Sequence, residues 1–424
     1  MVRVILRGDE KLGLRQVLYA LALLLLLLFG YWHYVVLPLR GRLLDFSIYL
    51  EAAQRFARGE TVYGEGYPRI IALTGRRIEM FYLYPPFLMV LLSDFLFLPE
   101  QTLKVIWCWL NYFALLGSAV FVIAALRNTI MGKLNWLTRI VLGLALLFCF
   151  EPVFAGALEG QANALVMLLL GIFVYGLAQN RGLTAGMALS LAAAIKVTPA
   201  FLLLVSLAKR DLRILGGFAL GALAVTAFVF LNGVSFTMLC DFFARLVFLS
   251  FERAPGGAFN FSSVAALLGP LGLESMPAAR IILITGLLSG AFLAMLFWNR
   301  DSQLFELRAA AFLICIMTML APLIWYHHFS WLIIPLAVVS LQERSDKASQ
   351  LRLWTLSLGL YLLISKSFLI NTYALLSGSS VLMHMSLLLP TLCMGVMMWL
   401  LWSRRPRLKA NTEVSSAAGY GTPR

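Results

Sequence analysis

Long apolar runs occupy most of this chain, and they restrict it to a helical fold within a membrane. One of them, residues 17–37, contains no Asp, Glu, Lys or Arg. Hydrophobic residues make up 61% of the sequence, and its mean hydropathy of +0.87 is far above that of soluble proteins. The sequence therefore predicts an all-α polytopic membrane protein.

We expect about twelve transmembrane spans, several of which are shorter than the ~20 residues that a bilayer core requires. The first span, residues 17–37, follows basic residues and lacks a small-residue cleavage site. It is therefore interpreted as uncleaved, with its N-terminus in the cytoplasm. The later spans are predicted at residues 87–98, 103–126, 140–155, 162–178, 183–208, 214–231, 279–298, 306–324, 329–341, 353–370 and 381–402.

The chain is predicted to form one membrane domain over residues 1–408, followed by a polar tail. The tail, residues 409–424, is rich in small residues and is expected to be disordered and cytoplasmic. Because Lys and Arg collect in cytoplasmic loops, the net charge of +14 is mainly a topology signal. The predicted orientation makes residues 38–86 a periplasmic loop of a protein in the inner (plasma) membrane of a bacterium.

This loop carries an acidic residue just beyond the first span. Asp45 and Tyr49 have helical spacing, so they lie on one side of a short amphipathic helix. A carboxylate at a membrane boundary is unfavourable in free energy unless it is solvated, is paired with a cation or takes part in the function of the protein. One alternative is that Asp45 only caps its helix, because Asp is a favoured N-cap residue. Tyr84 closes the loop, directly before two prolines that begin the next span.

Polar residues also interrupt the later apolar runs. Gln161 and Asn163 stand at a predicted hairpin, and their amides suit hydrogen bonding to sugar hydroxyls or to a turn. Lys196 lies deep in an apolar run beside Pro199, so it must either reach the interface or meet an anion. Asn260 lies in a predicted outer loop, where capping a helix is the simpler interpretation.

Two of the four histidines are adjacent, at His327 and His328, and aromatic residues surround them. An interfacial aromatic belt is one interpretation of this segment. A metal site is not expected, because adjacent histidines point to different sides of a helix and no third ligand follows at a suitable spacing. The cysteines form no C-x-x-C pair either.

Charge counting leaves one topological question open. If every predicted span is counted once, the basic segment 127–139 lies on the periplasmic side of the membrane and the hairpin at Gly160 lies on the cytoplasmic side. The distribution of charge favours the reverse. A re-entrant pair between residues 183 and 208, broken at Lys196, would restore agreement together with one misjudged earlier span.

Five short motifs occur in a fixed order along the chain. They are Asp45 after the first span, Y-P-P-F from Tyr84, G-Q-x-N from Gly160, K-x-x-P from Lys196, and W-x-H-H from Trp325. The ordered set resembles glycosyltransferase family 87, the polyprenol-phosphate-mannose-dependent mannosyltransferases of the GT-C fold. The resemblance extends over roughly residues 45–335.

The resemblance implies an enzyme that moves a sugar, mannose in that family, from a polyprenyl phosphate to a hydroxyl of a lipid or glycan acceptor. Asp45 would act as the base in a direct, inverting displacement. We expect no cofactor, no metal and no nucleic-acid partner, and contact with membrane lipids. The donor phosphate would be held by His327, His328, Lys196 and Tyr84, and the sugar or acceptor by Tyr49, Gln161, Asn163 and Asn260.

Two alternatives remain open from the sequence. A lipid or small-molecule transporter or flippase would also place broken helices, an intramembrane lysine and paired histidines around a central cavity. The clustering of ionisable residues at one face and the lack of an evident inverted repeat argue against it. The second alternative is a GT-C enzyme that uses another lipid-linked sugar, such as arabinose.

The predicted topology can be tested by cysteine labelling in intact cells. Reagents that do not cross the membrane should reach cysteines introduced near Arg58 and Ser379 but not near Lys409, because the first two positions are predicted to lie outside. Labelling near Lys409 in intact cells would contradict the orientation.

Overall fold

The computed structural model describes residues 10–64, 66–70, 77–251, 267–268, 272–273, 277–296, 304–321, 325–342, 346–377 and 380–402. The predictions that concern Asn260 and the tail 409–424 lie outside these residues.

Helices make up most of the described chain. Two antiparallel strands, Tyr67–Ile70 and Arg77–Met80, pair with Tyr67 opposite Met80 in the predicted loop. A π-helix covers Trp32–Val36. Short 3-10 helices cover Leu126–Asn128, Ile130–Lys133, Thr198–Leu203 and Tyr326–Leu332. The α-helices are Glu10–Tyr31, Leu37–Arg40, Leu44–Ala57, Pro86–Ser93, Glu100–Ala125, Trp136–Phe148, Glu151–Glu159, Asn163–Ala178, Gly182–Ile195, Leu204–Lys209, Leu212–Leu231, Phe236–Phe251, Pro277–Leu296, Phe305–Leu320, Ile333–Ser340, Lys347–Ser377 and Ser380–Trp402.

Several helices have the length and composition of membrane spans. Within the described residues three qualify: Gln16–Arg40, Glu100–Asn128 and Leu212–Leu231. The pair Trp136–Phe148 and Glu151–Glu159 makes a fourth if its two helices, bent by 62°, form one span. Further apolar helices are shorter, so a membrane protein is confirmed while the count of twelve spans stays a prediction.

Besides the span that is expected to break at Lys196, two of the predicted spans are not continuous helices. The span at 140–155 divides after Phe148, and a new helix begins with Pro152 in its first turn. Proline cannot continue the preceding helix, because it has no N–H and its ring contacts the carbonyl one turn back. The predicted span at 87–98 is helical only as Pro86–Ser93 and ends in turns before Pro99.

The predicted break near Lys196 is present. Helix Gly182–Ile195 stops at Lys196, whose backbone is extended, with φ −141 and ψ 129. A 3-10 helix with Pro199 in its first turn then leads into the next short helix. Because proline at this position would disrupt an unbroken helix, the chain turns here and Lys196 stands at a helix end.

The helix that leads to Lys196 packs closely against helix Leu212–Leu231. A methyl group on Gly186 would lie 2.1 Å from the carbonyl oxygen of Ile214, and one on Gly217 would lie 2.2 Å from that of Leu183. These separations leave no room for a side chain, so the two backbones touch at the glycines. The close contact fixes the position of the helix end at which Lys196 stands.

Replacing Gly217 with Ala should destabilise the folded protein. The new methyl group meets backbone atoms, which cannot move aside as a flexible side chain could, and overpacking of this kind costs about 1–3 kcal/mol. Thermal unfolding of the purified protein in detergent measures the effect.

The neighbouring glycine supplies a matched control. A methyl group on Gly216 would find no atom within 4 Å. Gly216→Ala should therefore leave the unfolding temperature unchanged or raise it slightly, since Ala favours a helix over Gly by ~0.5–1 kcal/mol. Equal losses from both substitutions would contradict the close packing.

Candidate active site

Asp45 is buried at the start of the helix Leu44–Ala57. Leu43 holds the N-cap position with a left-handed backbone, φ 46, and supplies no side-chain cap. Asp45 therefore stands in the first turn and not at the N-cap position that the capping alternative requires. The residue is 8% exposed, and Tyr49 follows one turn later on the same side.

The surroundings of Asp45 favour its protonated form more than water does. Burial raises the pKa of this carboxyl to about 6, while hydrogen bonding with Gln161 and the proximity of Lys196 partly oppose the rise. Desolvation disfavours the ionised carboxylate, which is why the first effect dominates. A carboxylate with such a pKa is a better proton acceptor than an exposed one and is still mostly ionised at pH 7.

Gly160 brings Gln161 next to the Asp45 helix. Its backbone is left-handed, with φ 72, and a methyl group there would lie 2.8 Å from the Cβ atom of Phe46. Both facts require glycine. The indole N–H of Trp107 donates a hydrogen bond of 2.8 Å to the Gly160 carbonyl, which fixes this turn.

The side-chain amide of Gln161 connects two tyrosines. Tyr49 donates from its hydroxyl to Gln161 Oε1 over 2.9 Å. The hydroxyl of Tyr84 lies 3.2 Å from the same oxygen and accepts from Gln161 Nε2 at 3.0 Å. The two tyrosine rings meet edge to face, with centroids 4.7 Å apart. Tyr84 is thus brought from the far end of the loop to the side of Tyr49.

Lys196 lies at the centre of the polar cluster and is buried. Its Nζ is 3.0 Å from Gln161 Oε1, 2.7 Å from Asn163 Oδ1 and 2.8 Å from His328 Nε2. The ring of Trp331 lies 5.6 Å from the same nitrogen. The amine therefore joins three segments that are far apart in the sequence.

The two histidines lie in the 3-10 helix Tyr326–Leu332. The backbone N–H of Trp325 donates to His328 Nδ1 at 2.8 Å, and Asn163 Nδ2 donates to the His327 carbonyl at 2.9 Å. In the part of the chain that the structure describes, the buried atoms His327 Nε2 and Trp331 Nε1 have no hydrogen-bond partner. Buried polar groups are normally satisfied, so these two nitrogens are candidates for contact with a ligand.

The structure brings eight of the nine sequence-predicted site residues into one cluster, and the ninth, Asn260, lies outside the described residues. Sequence reasoning missed Trp107 and Trp331, because one tryptophan among many carries no positional signal. It also gave no role to Glu159, whose charge interacts with that of Asp45. The members of the cluster are Asp45, Tyr49, Tyr84, Gln161, Asn163, Lys196, His327 and His328.

This arrangement combines two chemical capacities. Asp45 is a carboxylate suited to accept a proton. Lys196, His328 and the unpartnered His327 nitrogen are suited to hydrogen-bond an anion. A site with both can remove a proton from a hydroxyl while it stabilises a departing anion.

Comparisons with known proteins agree with this chemistry. A model of glycosyltransferase family 87 matches residues 82–322, more than half of the chain, and confirms the predicted family. A polyprenol-phosphate-mannose-dependent alpha-(1-2)-phosphatidylinositol mannoside mannosyltransferase of Mycobacterium tuberculosis is 25% identical over 313 residues, 70% of this chain and 70% of the relative. A polyprenol-phosphate-mannose-dependent alpha-(1-2)-phosphatidylinositol pentamannoside mannosyltransferase from the same species is 25% identical over 309 residues, 71% of this chain and 67% of the relative. No solved structure matches the chain.

Replacing Trp107 with Phe should loosen the turn that carries Gln161. The substitution keeps an aromatic ring but leaves the buried Gly160 carbonyl without its indole donor. An unsatisfied buried group of this kind costs about 1–3 kcal/mol. Thermal unfolding in detergent should show the loss.

Trp109→Phe is the control on the same helix, because the half-buried Trp109 makes ring contacts but no indole hydrogen bond within the described residues. An equal loss in both variants would contradict the assigned role of the Trp107 hydrogen bond.

Proposed function

Because the chain belongs to glycosyltransferase family 87, we propose that it transfers a sugar, mannose by analogy with the two relatives, from a polyprenyl phosphate to a hydroxyl of a lipid or glycan acceptor. The observation that carries the proposal is the position of a buried carboxylate, Asp45, in one cluster with the anion-binding groups around Lys196. A transporter has no need of a base beside a phosphate site, so this pairing favours a transferase.

Asp45 serves as the general base. As the acceptor oxygen attacks the anomeric carbon of the sugar, its proton passes to the Asp45 carboxylate. The bond between that carbon and the phosphate oxygen breaks, and the polyprenyl phosphate leaves with the bonding electrons. One displacement at the anomeric carbon inverts its configuration.

The leaving group explains why a second carboxylate has no required role. In the hydrolysis of glycosides a carboxylic acid must protonate the leaving oxygen. A phosphate departs as a stable anion, so hydrogen bonds and positive charge are sufficient. Glu159, the acidic neighbour of Asp45, makes no hydrogen bond within the described part of the cluster and is assigned no catalytic step.

The donor phosphate is assigned to the lysine side of the cluster. Lys196 and His328 lie 2.8 Å apart, so one phosphate group can contact both. His327 Nε2 is buried without a partner in the described chain, as expected of a donor that a ligand satisfies. Tyr84, hydrogen-bonded to Gln161, borders the same space and completes the proposed phosphate site.

The sugar and the acceptor are assigned to the amide side. Tyr49, Gln161 and Asn163 present hydroxyl and amide groups near Asp45, and such groups bind sugar hydroxyls through paired donors and acceptors. Asn260 remains an expectation from the sequence for this role.

The proposal includes an orientation. Residues 38–86 lie on the periplasmic side of a bacterial inner membrane, and the site opens to that face, where a lipid-linked donor is delivered. Support comes from the basic N-terminus ahead of the first span and from the polar character of the loop. Residues 1–408 then form the single catalytic domain.

The decisive experiment compares wild-type protein with Asp45→Asn. Purified protein is given radiolabelled polyprenyl-phosphate-mannose and membrane lipids, and labelled product is counted. The substitution keeps the shape of the side chain but removes its basicity, so the rate should fall at least ~100-fold while donor binding persists. In the wild type kcat/KM should fall about tenfold per pH unit below pH ~6, because protonation of Asp45, with a pKa of about 6, removes the base.

The residual activity of Asp45→Asn should not show this fall through pH 6, since the titrating group is gone. Substantial turnover by the purified variant would remove Asp45 from the mechanism. Failure of the wild type to transfer mannose, with transfer from another polyprenyl-phosphate sugar such as arabinose, would keep the reaction class and change the donor. Failure with every lipid-linked sugar would overturn the proposed function.

A further inference from the structure

The three polar neighbours of Lys196 determine how the hydrogen atoms on its amine are arranged. Two of the neighbours are oxygen acceptors, Gln161 Oε1 at 3.0 Å and Asn163 Oδ1 at 2.7 Å. The orientation of the Asn163 amide is set independently, because its Nδ2 donates to the His327 carbonyl. The third neighbour is His328 Nε2 at 2.8 Å.

The tautomer of the neutral His328 ring follows from the hydrogen bond at its Nδ1 atom. Nδ1 accepts the backbone N–H of Trp325 at 2.8 Å, so Nδ1 carries no hydrogen. A neutral imidazole has one N–H, which must then be on Nε2. His328 therefore presents a donor to Lys196.

An ammonium group at Lys196 does not fit these partners. It has three N–H donors and no acceptor, so one of its hydrogens would face the N–H of His328 across 2.8 Å. A neutral amine has two donors and one lone pair. Its donors match Gln161 and Asn163, and its lone pair accepts from His328.

From this geometry, and on the basis of the proposed function, we infer that Lys196 is an uncharged amine in the ligand-free enzyme and takes up one proton when the donor phosphate binds. The proton comes from solvent and occupies the lone pair that accepts from His328. The resulting ammonium then faces the phosphate, and the Nε2–H of His328 is released to donate to a phosphate oxygen. Both groups thus become phosphate donors in a single step.

The charges around Lys196 are consistent with this coupling. The Asp45 carboxylate, on the helix Leu44–Ala57, is near enough to interact with the amine. The remaining titratable neighbours are Tyr49, Tyr84, His327 and His328, all of which are neutral at pH 7 in this arrangement, and Glu159, whose charge interacts with that of Asp45. A donor phosphodiester brings one negative charge to a site that already holds an anionic Asp45. A proton gained by Lys196 balances it.

The test measures protons taken up on binding. A short-chain prenyl-phosphate-mannose, a phosphodiester whose own charge is constant over the range used, is titrated without acceptor into Asp45→Asn protein by calorimetry at pH 8. The Asp45→Asn background removes one other group that could take up a proton, and uptake by the remaining carboxyl, Glu159, would persist when Lys196 is also replaced. Buffers of different ionisation enthalpy should give apparent binding enthalpies whose slope corresponds to uptake of close to one proton. The dissociation constant should rise with pH, approaching tenfold per unit.

Variants at Lys196 assign the proton. Lys196→Arg keeps a positive charge at all pH values, so its binding should show no proton uptake and no pH dependence. Lys196→Met should weaken binding at least tenfold at low pH and also remove the uptake. If the phosphodiester binds wild-type and Asp45→Asn protein without proton uptake, or if uptake persists in Lys196→Arg, the inference is overturned while the proposed function stands. If the phosphodiester does not bind at any pH, mannose as the donor sugar of the proposed function fails as well.

Discussion

The contact of one buried lysine with three polar side chains is the interaction on which the site depends. An amine inside an apolar bundle is costly unless it is hydrogen-bonded, and an unpaired charge there is costlier still. Lys196 meets Gln161, Asn163 and His328 within 3.0 Å. Gln161 and Asn163 stand together after helix Glu151–Glu159, whereas His328 comes from the distant 3-10 helix Tyr326–Leu332. The need to satisfy one nitrogen therefore requires that three distant segments, including that of Lys196, meet at one point.

The backbone provides that meeting point through interruptions in its helices. The chain stops being helical at Lys196, ahead of Pro199, and turns sharply at Gly160. Non-helical backbone within a membrane protein is tolerated where it is buried or lines a cavity. Here each interruption delivers a polar side chain to the cluster. The glycine contact between helices Gly182–Ile195 and Leu212–Leu231 then holds the lysine end in register.

Within the cluster, burial and the choice of hydrogen-bond partners assign acid–base chemistry to the Asp45 side and anion binding to the Lys196 side. Asp45 has a carboxyl with a raised pKa because it is desolvated, so it suits proton transfer near neutral pH. On the other side, two amide oxygens that accept and one neutral imidazole surround the amine, so in the inferred state positive charge need not be present before an anionic ligand arrives. A site arranged in this way avoids a permanent ion pair in its interior, which would be stable but hard to displace.

The sequence by itself determined the class and the family, and it singled out most of the residues that the structure brings into one cluster. Apolar runs required a helical membrane protein, and the order of the motifs at Asp45, Tyr84, Gly160, Lys196 and Trp325 identified the family that the comparison confirms. The break at Lys196 was also predictable, because proline acts on the backbone locally.

Only the tertiary structure decided how these residues meet. The division of the predicted span at 140–155 into two helices was missed because the apolar pattern continues across Pro152. The hydrogen bonds of Gln161 and the tautomer of His328 depend on atoms contributed by distant segments. Hydropathy and motif spacing are properties of neighbours in the chain. Burial, pKa and hydrogen-bond direction depend on neighbours in space, which only the packed helices supply.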